Sequence, residues 1–170
     1  TGGIVGGVQS SCKFSEITLT DLEIYGAYTV GGLIGKSTNN INISNVKSEN
    51  SGVYVYGGFE TGGLVGNSQK GNEFSVKDSK IKINKVEFAN LDKGTKTWFG
   101  VGGIAGSANI KTTISNVQLT AYNEDSFIGS NKDNKPLATQ TMNEGGLIGL
   151  SNGACTITNT SVSVDVYGSN

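Results

Sequence analysis

A five-residue glycine motif occurs five times in this 170-residue chain, at residues 2–6, 31–35, 62–66, 102–106 and 145–149. Each copy reads Gly-Gly, an aliphatic residue, a small or aliphatic residue, and Gly, and the first glycines are 29, 31, 40 and 43 residues apart. A pattern that recurs at such periods is typical of an array of stacked structural units. The sequence therefore predicts five repeats, which span residues 1–29, 30–60, 61–100, 101–143 and 144–170.

A second motif follows each glycine motif, at residues 14–17, 43–46, 114–117 and 157–160, always 12 residues after the first glycine. In the third repeat the best match is residues 76–79, displaced by a two-residue insertion near Gly71. The third position of this motif is always polar and is occupied by Glu16, Asn45, Asp78, Asn116 and Asn159. We expect a polar column at a corner, where such side chains satisfy backbone groups of the turn.

A third element alternates apolar and other residues, as in residues 22–26, 53–57 and 164–168, which is typical of half-buried strands. Three short strands per repeat predict an all-β fold, a right-handed parallel β-helix (β-solenoid) of about five coils, with longer insertions in coils three and four. Glycine permits tight turns and close approach of neighbouring backbones. We assign this structural role to the paired glycines Gly2, Gly3, Gly31, Gly32, Gly62, Gly63, Gly102, Gly103, Gly145 and Gly146. The aliphatic residues that follow them, Ile4, Leu33, Leu64, Ile104 and Leu147, are expected to form an internal ladder.

The two motifs together resemble the GLUG repeat of bacterial secreted and wall-attached proteins. The resemblance covers nearly the whole chain. It implies that the chain is a repeat region like those of adhesin-like proteins or of the non-catalytic part of immunoglobulin A1-specific metallopeptidases. Export to the cell surface or the medium is therefore an expectation. The chain contains no His-Glu-x-x-His zinc motif, so protease activity does not carry over to these residues.

The repeat phase predicts one β-solenoid domain over residues 1–170 that is a fragment of a longer repeat protein, because neither end resembles a capping unit. Cys12 and Cys155 occupy the same slot of the first and fifth repeats, where the second repeat has Ile41. We expect this slot to face inward and the two cysteines not to be bonded to each other, because four coil steps separate them by about 19 Å. Each cysteine could instead face a partner outside this segment.

Composition excludes several kinds of chemistry. The chain has 13 lysines, no arginine, no histidine and a formal net charge of -1. It therefore cannot build a Ser-His or Cys-His nucleophile or an imidazole metal site, and nothing in its charge calls for nucleic acid. No apolar run is long enough to span a membrane. We expect no cofactor and no metal.

The long spacers of repeats three and four supply the candidate binding residues Trp98, Lys96, Tyr122, Asp125 and Asp133. Trp98 could stack on a sugar or anchor a partner, or it could fill the core ahead of Gly100, as Tyr25 and Tyr56 are expected to do near their own glycines. The alternatives for this residue remain open from the sequence.

The sequence favours a non-catalytic structural or binding module, either an adhesin stalk or a partner-presenting spacer. Its partners would be flanking repeats or domains, and a host surface protein or glycan. One alternative is a carbohydrate-active β-helix, a polysaccharide lyase or hydrolase, although its acids are scattered and it lacks arginine. The other alternative is a self-assembling extracellular fibre subunit that associates end to end.

Overall fold

A computed structural model of the chain describes residues 1–88, 98–130 and 141–168, with backbone alone at residues 98, 99 and 141. Within these ranges every regular element is a β-strand, which confirms the all-β prediction. In chain order the strands are β1 (Val5–Val8), β2 (Cys12–Tyr25), β3 (Thr29–Gly31), β4 (Ile34–Ser37), β5 (Ile41–Gly57), β6 (Glu60–Gly62), β7 (Val65–Ser68), β8 (Phe74–Phe88), β9 (Trp98–Gly102), β10 (Ala105–Ala108), β11 (Thr112–Ala121), β12 (Phe127–Gly129), β13 (Thr141–Gly145), β14 (Ile148–Ser151), β15 (Cys155–Thr158), β16 (Ser161–Ser163) and β17 (Asp165–Tyr167).

These strands form three parallel sheets, in which neighbours come from successive repeats. The glycine-motif sheet has the order β1-β4-β7-β10-β14, and a second sheet has the order β13-β9-β6-β3. The third and largest sheet stacks the long strands β2, β5, β8 and β11, with β12, β15, β16 and β17 completing its later repeats. Parallel strands that pair repeat by repeat in three sheets are consistent with a β-helix.

The second and third motifs of a repeat lie on one long strand in repeats one to three, where the sequence predicts two separate strands. β5, for example, runs for 17 residues without leaving the sheet. The strand turns inside the ladder because single residues adopt left-handed backbone angles, such as Asn45 (φ 53°) and Asn50 (φ 52°). A one-residue corner redirects the chain while the flanking residues keep their parallel partners.

The polar column lies at this corner, as predicted. Glu16, Asn45, Asp78, Asn116 and Asn159 all have φ between 49° and 57°. The side chains also bond to one another across repeats, an arrangement that the sequence alone did not indicate. The Asn45 Nδ2 amide donates to Glu16 Oε1 at 2.6 Å, and the Asn116 Nδ2 amide donates to Asp78 Oδ1 at 2.9 Å. The insertion in repeat three is also confirmed, because Val76 pairs with Ile43 and Ile114.

In the first four repeats, the second glycine of the motif lies directly against the backbone of the next repeat. A Cβ atom on Gly32 would overlap the carbonyl oxygen of Gly63, and one on Gly63 would overlap that of Gly103. Real side chains do not reach such contacts, so any larger residue would push two repeats apart. The spacing between strands in these three repeats therefore depends on the absence of a side chain.

The aliphatic ladder stacks in the predicted order. Leu33, Leu64 and Ile104 are fully buried, and their backbone amides donate to the carbonyl of the next member of the ladder. Ile4, in the first repeat, is 53% exposed because one neighbouring repeat covers it rather than two. Leu147, in the fifth repeat, is half-buried.

The cysteine slot faces inward in the middle of the stack, as expected. Cys12 pairs in register with Ile41, and the same column continues through Phe74 and Thr112 to Cys155. The three middle residues are fully buried. Both cysteines are free, which confirms that they do not bond to each other. Cys12 is half-buried, and the expected burial is wrong for Cys155, which is exposed because it belongs to the fifth repeat.

Candidate binding surface

The outward side of the largest sheet carries an aromatic cluster near the end of the long strands. Inward positions there form an aliphatic column of Ile24, Val55, Val86, Ile128 and Val166, each in register with the next. Because side chains alternate across a strand, the residues on either side of this column point outward. In the first three repeats these outward positions hold tyrosines, carboxylates and one lysine, Lys85.

We define the tyrosine face as Glu23, Tyr25, Tyr54, Tyr56 and Glu87. Glu23 pairs with Tyr54 and Tyr25 pairs with Tyr56 between β2 and β5, while Tyr56 pairs with Glu87 between β5 and β8. Tyr25 is 57% exposed. Tyr54 and Tyr56 are half-buried, and Glu87 is buried.

The rings of this face contact one another in defined orientations. The ring of Tyr25 meets that of Tyr54 edge to face, with centroids 5.5 Å apart and planes at 85°. It also lies 6.1 Å from the ring of Tyr56, at 49°. Edge-to-face pairs are favoured because the positive edge of one ring meets the negative face of the other. The packing therefore fixes the ring planes on the surface.

Two carboxylates accept hydrogen bonds from the phenols. The Tyr25 hydroxyl donates to Glu23 Oε2 at 3.3 Å, and the Tyr54 hydroxyl donates to Glu87 Oε2 at 3.5 Å. Burial, and then the nearby Glu87 carboxylate, raise the pKa of Tyr54 to about 12. Burial and the charge of Glu23 also raise the pKa of Tyr25. Both phenols therefore stay protonated at neutral pH and keep the rings tied to the carboxylates.

A second aromatic pair lies at the start of the adjacent sheet. The ring of Tyr28 stacks on that of Phe59 in the next repeat, with centroids 5.1 Å apart and planes at 11°. Tyr28 is 69% exposed and follows Tyr25 by three residues. This pair extends the aromatic surface of the first two repeats around the edge of the largest sheet.

The later repeats carry a related aromatic cluster. The ring of Phe127 lies 5.6 Å from that of Tyr167, and the Lys85 ammonium lies 5.5 Å from the centroid of the Phe127 ring. The Tyr167 hydroxyl donates to Asp165 Oδ2 at 3.3 Å. Phe127 is nearly buried, so the exposed aromatic surface lies mainly in the first two repeats.

The polar corner forms a groove of about 710 Å³ on the same sheet. Its lining combines the column residues with outward residues of the following strand segment, namely Glu16, Ile17, Thr18, Asn45, Val46, Lys47, Asp78, Lys80 and Asn116. The column contributes carboxylates and amides to this groove, and the following strand segment contributes Lys47 and Lys80. The column amides already bond to the column carboxylates, so these side chains serve first to hold the corner.

Two of the predicted binding residues lie in a tight turn rather than a long loop. Tyr122 and Asp125 connect β11 to β12, and Asn123 Oδ1 accepts hydrogen bonds from the Asp125 amide and the Ser126 hydroxyl. Asp125 is exposed, and Tyr122 is 44% exposed with the Lys82 ammonium 5.9 Å from its ring centroid. Their contribution to binding stays a prediction.

The other predicted residues are placed in part or not at all. The backbone of Trp98 lies in β9, in register with Thr141 of β13, while Tyr122 and Asp125 flank the largest sheet. Lys96 and Asp133 lie outside the described residues. The described residues therefore do not establish one binding site made of the spacer residues that the sequence indicates.

The sequence interpretation missed the tyrosine face because it placed Tyr25 and Tyr56 in the core. That placement is wrong for Tyr25, which is exposed, and for Tyr56, which is half-buried on the outward side. The signal was present in the alternation. In residues 22–25 and 53–56 the aliphatic residues occupy one set of alternate positions, so the tyrosines must occupy the opposite face.

The described part of the chain contains no group of three or more residues arranged to hold a metal ion. None of its described residues forms a helix with the length and apolarity of a membrane-spanning segment. On the tyrosine face, each of the two carboxylates, Glu23 and Glu87, is hydrogen-bonded to a tyrosine hydroxyl. The surface therefore offers acceptors and aromatic rings to a ligand.

Comparison with known protein families gives a match to part of the chain. No curated protein and no solved structure matches the chain. The family model described as the GLUG motif matches residues 26–53, which include the glycine motif and the second motif of the second repeat, in agreement with the resemblance seen in the sequence. This motif occurs in extracellular bacterial proteins and suggests a non-catalytic repeat region. The second repeat of this chain thus carries a GLUG motif, and its neighbours stack on it in the same register.

Proposed function

We propose that the chain is a non-catalytic β-solenoid module of a bacterial secreted or cell-surface protein, where it holds and presents residues that bind a partner. In this proposal the three parallel sheets wind as a right-handed β-helix of about five coils, one for each glycine motif. The match of residues 26–53 to the GLUG motif supports an extracellular repeat region.

The observation that carries the proposal is the use of the recurring residues. The motif glycines admit the backbone of the next repeat, the aliphatic ladder fills the interior, and the polar column forms the corners. The residues that recur in every repeat thus serve to pack one repeat on the next. The features that differ between repeats, such as outward aromatic residues, are left to meet a partner.

An assay for polysaccharide cleavage tests the non-catalytic part of this proposal. The 170-residue chain would be incubated with neutral and anionic polysaccharides, and new reducing ends and unsaturated products would be measured over a day. We expect neither product above a boiled control. Cleavage that rises with protein concentration, and that disappears in the Glu124→Gln or Asp125→Asn variant, would overturn the proposal in favour of a carbohydrate-active β-helix.

A display experiment tests the presenting role. The chain would be anchored on cells that do not otherwise adhere, and retention on immobilised glycans and host surface proteins would be compared with that of cells carrying the anchor alone. Retention above the anchor control supports a partner-presenting module. If cells that carry the chain are retained no better than cells that carry the anchor alone on every surface, the chain has no binding role and acts as a spacer.

A further inference from the structure

We infer that the tyrosine face binds a neutral glycan chain, with Tyr25 and Tyr56 stacking on sugar rings and Glu23 accepting hydrogen bonds from sugar hydroxyls. This inference rests on the proposed function, because it names the ligand class of the binding module. The five residues of the face lie outside the spacers that the sequence analysis considered.

The fold itself does not require aromatic residues at these outward positions. One strand segment earlier, the equivalent outward column of the same sheet holds Thr18, Lys47, Lys80, Gln118 and Ser161. These polar residues support the same parallel ladder. Large aromatic side chains that are exposed where polar ones suffice mark a binding surface.

The rings are held ready for a ligand before it arrives. Tyr25 contacts both Tyr54 and Tyr56, and hydroxyls of this cluster are bonded to carboxylates. A ligand that lands on such a surface orders few additional side chains, so less affinity is lost to entropy. The rings come from β2 and β5, which lie side by side, so a chain of sugars can contact both repeats.

The charges of the face select among ligands that stack on aromatic rings. Glu23 and Glu87 bring two carboxylates to this surface against one ammonium, that of Lys85, which is in register with Tyr54 and lies over the Phe127 ring. The net negative charge disfavours phosphate, sulfate and uronate groups, and the chain has no arginine to bind them. Sugar hydroxyls are donors that a carboxylate accepts, and the faces of many sugar rings present C–H groups to an aromatic surface. A neutral glycan satisfies both kinds of group at once.

Binding of soluble polysaccharides to the 170-residue chain tests this inference. Isothermal titration calorimetry would compare a neutral β-1,3-glucan, a neutral galactomannan and a neutral xyloglucan with the anionic polysaccharides alginate and hyaluronan. We expect at least one neutral polysaccharide to bind and neither anionic one to bind more tightly. The Tyr25→Ala and Tyr56→Ala variants should each weaken binding about tenfold, the scale of one lost aromatic contact.

Two further variants separate loss of the face from loss of the fold. Lys36→Ala removes an exposed side chain on the glycine-motif sheet, away from the tyrosine face, and should leave affinity unchanged. Tyr25→Phe keeps the ring and should retain most of the affinity that Tyr25→Ala loses. The melting temperature of each variant would be measured in parallel, and a variant that melts early would be replaced by Tyr25→Ser.

Three outcomes would overturn the inference. They are no binding of any neutral polysaccharide to the folded chain, tighter binding of an anionic one, and equal affinity in Tyr25→Ala, Tyr56→Ala and wild type. None of these results bears on cleavage, so a non-catalytic module would stand without its glycan ligand. Cleavage of a bound glycan would instead remove the proposed function while leaving the binding face in place.

Discussion

The most informative single residues are those that take a left-handed backbone at the corner of each repeat. Among L-residues, asparagine and aspartate tolerate this conformation best, since their short polar side chains bond locally. The sequence predicted a polar corner from the fixed spacing behind the glycine motif. It could not predict that Asn45 would bond to Glu16 in the preceding repeat, because that contact depends on how far apart the repeats stack.

Asn45 allows a direct test of the corner. Replacing it with alanine loses the bond to Glu16. It also leaves, at φ 53°, a residue that has a Cβ but no polar side chain to stabilise the left-handed backbone. Asn45→Gly loses the same bond but adopts this backbone freely. We therefore expect Asn45→Ala to be less stable than Asn45→Gly by about 1 kcal/mol in urea unfolding. Equal stability of the two variants would show that backbone strain does not matter at this corner.

At the scale of elements, the alternation within each long strand decides which side chains meet. Period-two alternation predicted the strands correctly in residues 22–25 and 53–56. It did not lead to the tyrosine face, because large aromatic residues were assigned to the core by their apolarity. Only the register between β2, β5 and β8 shows that Tyr54 lies against Glu87, 33 residues further along the chain.

The ionisation of Tyr54 reports this arrangement. Its pKa in the folded chain is about 12, above the ordinary value of 10, so the folded state holds its proton more tightly than the unfolded state. The contribution to stability is complete below pH 10 and is lost as the pH rises through 12. Because the side chain is half-exposed, solvent reduces the size of this effect. The Tyr54→Phe variant should unfold with a weaker pH dependence between pH 10 and 12.

Ultraviolet titration of the phenolate measures the same group directly. Wild type should show a late-ionising tyrosine near pH 12 that is missing from Tyr54→Phe. Tyr122→Phe serves as the control, because it removes one tyrosine without touching the face. If the late component survives in Tyr54→Phe and disappears in Tyr122→Phe, the assignment is wrong.

At the scale of the whole molecule, the burial of a ladder residue depends on its repeat having a neighbour on both sides. Leu64 and Ile4 occupy the same slot of the aliphatic ladder, yet Leu64 is fully buried and Ile4 is 53% exposed. The sequence predicted the ladder and its order from five copies of one motif. It did not predict how burial differs along the ladder, since that is a property of the stack and not of the motif.

A pair of substitutions measures this dependence. Leu64→Ala leaves a cavity between two neighbouring repeats and should lower the free energy of unfolding by about 2–5 kcal/mol. Ile4→Ala removes a similar side chain that water already reaches, and should cost about 1 kcal/mol or less. Both values come from chemical denaturation followed by circular dichroism. Equal losses would indicate that the first repeat is as tightly covered as the third.

The interior column that begins at Cys12 limits how the repeat array can evolve. Its successive members are cysteine, isoleucine, phenylalanine, threonine and cysteine, so a bulky Phe74 lies beside a small Thr112. Ile41, Phe74 and Thr112 are fully buried, so these side chains of different size share one interior space. Repeats that share a motif therefore cannot replace one another freely. We expect the duplication or deletion of a repeat to be tolerated only where the interior side chains that become neighbours fill the space between them.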